Sequence, residues 1–86
     1  MLAADGLRAA VTARGLLAEV ASVVSRRQAW RVVTRARRLA GVGEDEALGR
    51  IEVLMLLESI AAEGGVLQVL AERLARRALA EGERGG

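Results

Sequence analysis

Apolar positions recur at helical spacing along most of this 86-residue chain, and each break in the pattern marks an expected boundary. In residues 7–24, Ala9, Ala10, Ala13, Leu16, Leu17, Val20, Ala21, Val23 and Val24 share one face, with Arg8, Thr12, Glu19 and Ser22 opposite. That spacing predicts an amphipathic helix. Asp5 stands where a side-chain oxygen accepts from the first free amides, and Gly15 weakens the interior by about 1 kcal/mol relative to alanine, which suggests close packing or imperfect helix there.

The helical pattern continues over residues 25–40, but its apolar face (Ala29, Val32, Val33, Ala36, Leu39, Ala40) is rotated by more than a third of a turn from the one before it. The phase breaks near Ser25 and Arg26. No proline or glycine forces the break, so two helices meeting at a bend and one long helix passing between two partners both fit. Gly41-Val-Gly-Glu-Asp-Glu46 is clearer punctuation: a glycine just past the last periodic residue, followed by acids suited to the positive end of the next helix.

The next helix is expected over residues 45–63, ending at Gly64-Gly65, and it contains the most apolar run of the chain, residues 51–62. At 100° per residue its apolar side chains cover most of the circumference, leaving Glu52, Ser59 and Glu63 on one narrow strip and Glu58 isolated opposite. One neighbour cannot cover such a helix. It calls for two or more packing partners, or for an oligomer seam along Ile51, Leu54, Met55, Leu57 and Ile60, the candidate partner-binding residues. A last pattern over residues 66–81 places Val66, Leu67, Leu70, Ala71, Leu74, Ala75 and Ala78 on one face. Residues 82–86 have nothing to bury and are expected to be a flexible tail after a single helical domain of residues 1–81.

The expected fold is therefore all-α: three to four amphipathic helices in a small bundle, the central helix held between the first and the last. A chain of this size buries only about 60–65% of the surface it exposes when unfolded, so completion of the core by oligomerisation or by a partner subunit is expected. There is no cysteine and no histidine, which excludes disulfides, thiolate chemistry, the usual structural zinc and a histidine base. The twelve-residue apolar run between charged flanks is too short to span a bilayer. The first residues lack the basic and apolar regions of a secretory signal, which makes a cytoplasmic location the expectation.

Charge sharpens the picture at one place. Between Glu19 and Glu44 the chain has six arginines and no acid, so Arg26, Arg27, Arg31, Arg35, Arg37 and Arg38 form a basic face that includes Trp30, the only aromatic residue. A helix that tracks phosphates looks like this, and so does one that lies on an anionic membrane. The following segment carries Glu44, Asp45, Glu46, Glu52, Glu58 and Glu63 against the single Arg50, so the two segments also match each other, in a hairpin or across a dimer. The net charge of +2 favours that second arrangement over nucleic acid, because most of the positive charge has an acidic counterpart in the same chain.

Residues 54–74, Leu-Met-Leu-Leu-Glu-Ser-Ile-Ala-Ala-Glu-Gly-Gly-Val-Leu-Gln-Val-Leu-Ala-Glu-Arg-Leu, resemble the opening of winged helix-turn-helix regulators. The resemblance implies a following turn and recognition helix, yet after Leu74 the pattern runs on as Ala-Arg-Arg-Ala-Leu. A plain αα-hairpin accounts for the same residues. Glu58, set in an apolar arc, is the one carboxyl in a setting that sometimes serves acid–base work, but no nucleophile, phosphate loop or metal cluster accompanies it. The expectation is a non-catalytic assembly or adaptor subunit acting through aliphatic helix faces, without cofactor, metal or small-molecule substrate. The alternative is a small nucleic-acid-binding protein using the basic helix.

Overall fold

A computed structural model of the chain describes residues 11–85, with the side chains of residues 11–80. Four helices occur among them: α1 (Ala13–Ala21), α2 (Arg26–Ala40), α3 (Arg50–Ala61) and α4 (Gly65–Gly85). The chain is all-α, with no strand among the described residues.

Each boundary has a local cause. The Thr12 hydroxyl accepts from the Gly15 amide at 3.1 Å and starts α1, so the helix expected over residues 7–24 begins at Ala13; residues 7–10, and Asp5 as its cap, lie outside the described part. Gly15 thereby sits in the first turn, exposed, and an added Cβ would meet only the Thr12 hydroxyl at 3.5 Å. Close packing is not the reason for that glycine. The phase break is a true helix break: Ser25 has extended backbone (φ −63°, ψ 155°) and its hydroxyl accepts from the Gln28 amide at 3.1 Å. Two serines suffice there, since Ser22 donates its hydroxyl to the Glu19 carbonyl at 2.6 Å and closes α1.

Gly41 (φ 72°, ψ 31°) ends α2 in the left-handed region, and the Val42 and Gly41 amides donate back to the Arg37 and Arg38 carbonyls at 3.1 and 3.2 Å. Val42 is buried beneath this turn, and the Arg37 guanidinium donates to its carbonyl at 3.0 Å.

The third helix starts at Arg50, five residues later than the acids at 44–46 suggested. Those acids are engaged elsewhere. Arg14 donates through Nε and Nη2 to the two Asp45 oxygens at 2.6 and 3.0 Å, the Arg14 amide donates to the Glu44 carbonyl, and the Glu46 carboxylate accepts from the Gly43 amide. The Leu48 amide donates to the Val11 carbonyl at 2.9 Å, so the loop is strapped to the start of α1. Glu52 then accepts from the Gly49 amide at 2.8 Å and begins α3. Gly64 and Gly65, both with positive φ, turn the chain into α4, whose backbone stays helical past Glu81 to Gly85.

The buried faces form one cluster. Val53, Leu56, Leu57 and Ile60 of α3 meet Ala29, Val32, Val33 and Ala36 of α2 and Leu67, Leu70, Ala71 and Leu74 of α4, with Ala13, Leu16 and Val20 from α1. The neighbours of the central helix are thus α2 and the last helix, α4; the first helix, expected on its other side, packs chiefly on α2 instead. No charged or polar residue is buried among the described residues.

Two outcomes follow from these boundaries. Gly41→Ala adds a side chain that meets nothing within 4 Å, so its cost is the backbone conformation alone. Urea denaturation should show a loss of about 1 kcal/mol with unchanged helix content. The Arg14 guanidinium, chiefly by its hydrogen bond and in spite of some desolvation, holds the Asp45 carboxyl below the usual carboxylate range, and Asp45 and Glu44 raise the Arg14 pKa in turn. Because the folded-state value of Asp45 is the lower one, this contribution is present at neutral pH and disappears as pH falls below about 4. Thermal melts should show a steeper acid-side decline for the wild-type chain than for Asp45→Asn.

Candidate functional site

With the core closed on one side of α3, the opposite side remains apolar. Ile51 is 73% exposed and Met55 45%, one turn apart on the same face, while Leu57 and Ile60 are 2% and 1% exposed inside the bundle. Leu54 is half-buried between the two sides. The five candidate partner-binding residues are therefore divided: Ile51 and Met55 face outward, Leu57 and Ile60 belong to the core. Periodicity could not divide them, because one narrow polar strip does not say which part of so broad an apolar arc the bundle takes up.

On α2 the apolar face is narrower than its spacing suggested. Ala29, Val32, Val33 and Ala36 are buried, but Leu39, expected among them, is 70% exposed. It leans toward α3. Leu39, Ala36 and Ala40 from α2, with Met55 and Ser59 from α3 and Ala62 just past its end, line an open groove of about 460 Å³ between the two helices, with Arg35 on one wall and Glu58 and Glu63 on the other. Glu58, in its apolar arc, is exposed to solvent on this groove instead of lying within the bundle.

The arginines of α2 point away from the core. Arg26, Arg27, Arg31, Arg35 and Arg38 are exposed, and Trp30 is 51% exposed among them. Arg37 is half-buried and occupied with the Val42 carbonyl. The expected match between basic and acidic segments is realised within the chain at one loose contact, Arg35 to Glu63 at 4.0 Å. Glu44 and Asp45 face Arg14 instead. Among the described residues, Arg26, Arg27, Arg31, Arg38 and Glu58 form no ion pair. The role of Arg14 as the clamp on the acidic loop was not evident from the sequence, where it stands alone on a helix face 31 residues from Asp45.

A second apolar cleft, of about 240 Å³, lies between α1 and α4 over Val53 and Leu57, with Glu19 and Arg77 at its edges. On α4 itself, Val66, expected on the buried face, and Val69 are 51% and 62% exposed. The segment that resembles a winged helix-turn-helix opening is an αα-hairpin, α3 and α4, and α4 runs on without the turn that a recognition helix needs. Among the described residues no group of His, Cys, Asp or Glu is placed to hold a metal ion, and no helix is long and apolar enough to cross a membrane. No family model, curated protein or solved structure matches the chain.

The division of α3 is measurable. Leu57→Ala should cost about 2–5 kcal/mol in urea denaturation, as expected for a buried leucine. Ile51→Ala, which removes the same three carbons from an exposed side chain, should change the stability of the monomer by less than about 0.5 kcal/mol. Equal losses at every protein concentration would mean that both faces of α3 are covered within the monomer, and a loss at Ile51 that appears only as concentration rises would mean that another copy covers it.

Proposed function

We propose that this protein is a small, non-catalytic assembly or adaptor subunit that docks a protein partner through the groove between α2 and α3. The observation that carries this reading is that the exposed Leu39 and Met55 line one groove, with Ile51 exposed one turn from Met55 on the same face of α3. Single exposed aliphatic side chains are ordinary, whereas a contiguous apolar groove rimmed by charges is the form of a helix-docking surface. Rim charges of both signs add selectivity and steer the encounter.

A second reading, binding of nucleic acid, draws on Arg27, Arg31 and Arg38, exposed and without ion pairs among the described residues, beside the exposed Trp30. Those side chains suit phosphates and stacking. Glu58 and Glu63 on the adjoining groove wall repel the same phosphates, and this sets the protein partner ahead.

The double substitution Leu39→Asp/Met55→Asp tests the preferred reading, since both positions are exposed and the fold should survive, as checked by circular dichroism. Light scattering on the protein isolated from its native cells should show a stoichiometric complex for the wild-type chain and none for the variant. The opposite pattern would be a complex that survives the double substitution, with Trp30 emission quenched by duplex DNA at a midpoint that rises steeply with salt and is lost in Arg27→Ala/Arg31→Ala/Arg38→Ala. That pattern would transfer the function to the basic helix.

A further inference from the structure

Resting on the docking reading just given, we infer that the occupant of the α2–α3 groove is a second copy of this chain, related by a two-fold axis that runs along the groove. Each copy's α3 then lies over the other's α2.

The register of the two helices in one copy makes this specific. Met55 and Leu39 line the groove from opposite helices, and Glu63 lies against Arg35 at 4.0 Å and shares a surface hollow with Arg27 and Arg31. The helices α2 and α3 therefore pass each other in opposite directions: Leu39 is level with Met55, and Arg31 and Arg35 with the stretch from Glu58 to Glu63. A two-fold rotation about an axis parallel to the groove keeps every residue at its level and exchanges the walls. Leu39 then meets the partner's Met55, Arg35 meets the partner's Glu58, and Arg31 meets the partner's Glu63. The isologous rule makes each contact occur twice.

Charge decides for a copy of the same chain and for this axis. The groove carries an arginine wall, an apolar floor and a carboxylate wall, so it is complementary to its own image when the walls are exchanged. An axis across the groove would instead set α2 on α2 and bring arginine against arginine. Arg31 and Glu58, which have no ion pair among the described residues of one copy, acquire one in the pair. Covering Leu39, Met55 and the neighbouring Ile51 also enlarges the apolar core of a chain whose buried residues are mainly leucine, valine and alanine.

A charge swap tests the arrangement through sedimentation velocity of the full chain from micromolar to millimolar concentration. Wild-type protein should dimerise. Glu58→Arg alone places arginine against Arg35 twice, and Arg35→Glu alone places carboxylate against Glu58 twice; each should weaken the dimer by at least about tenfold. Both positions are exposed, and unchanged circular dichroism spectra confirm the fold of each variant. An equimolar mixture of the two variants should restore a dimer containing one of each, because both contacts regain opposite charges. A mixture that stays monomeric while the wild type dimerises overturns the arrangement, as does a dimer indifferent to both substitutions and abolished by Val69→Asp on α4. A wild-type chain that is monomeric throughout, with Leu39→Asp/Met55→Asp still losing the complex seen in native cells, overturns the second copy and leaves the docking reading standing. A monomeric chain whose complexes are the same with and without that double substitution overturns both.

Discussion

A helix that is apolar around most of its circumference cannot turn all of that surface toward a single core, and much else in this protein follows from how α3 meets that constraint. Val53, Leu56, Leu57 and Ile60 are taken up by α2 and α4. Ile51 and Met55 are left outside. Burial of aliphatic surface is worth about 25 cal/mol per Å², and with no aromatic residue except the exposed Trp30, the interior depends on many small contributions of this kind. The buried side chains are aliphatic, and no charged or polar residue is buried among the described residues.

The electrostatics are arranged around that core and at its edge. The best ion pair, Arg14 with Asp45, holds the loop of residues 42–49 onto the start of α1, at a site exposed enough that salt should weaken it readily. This pairing also explains why the acidic loop does not extend α3 toward its N-terminus. Since Glu44 and Asp45 turn to Arg14, Arg26, Arg27, Arg31 and Arg38 of α2 form no ion pair among the described residues and face solvent. An apolar groove between a basic wall and an acidic wall results, and the assembly proposed here uses that groove because both walls are needed to orient a partner.

How much of this was legible in the sequence varies with the kind of signal. The helices were, because apolar side chains recur at helical spacing and glycine marks the stops at Gly41 and at Gly64-Gly65. The choice between one helix and two over residues 25–40 and the segment before them rested on Ser25, whose hydroxyl can cap or simply face solvent; composition alone does not distinguish those uses. The late start of α3 was hidden for a related reason, since acids near a helix start can also be drawn off by a distant arginine. The site was half legible. The arginine face was visible as six basic residues without an intervening acid, and it is exposed as its spacing suggested, Arg37 apart. The apolar half required the fold, because the sequence of α3 does not say which of its apolar sides the bundle consumes.

The absence of cysteine from the chain permits one direct test of whether the groove is covered. A thiol introduced by Met55→Cys, at the centre of the groove, can be labelled with a thiol reagent at increasing protein concentration, with Glu72→Cys on the exposed side of α4 as the reference. If the groove is where this chain assembles, labelling at position 55 slows as concentration rises while the rate at position 72 stays constant. Labelling at position 55 that matches the reference at every concentration would contradict the account, leaving Leu39, Ile51 and Met55 as surface without an occupant of the same chain.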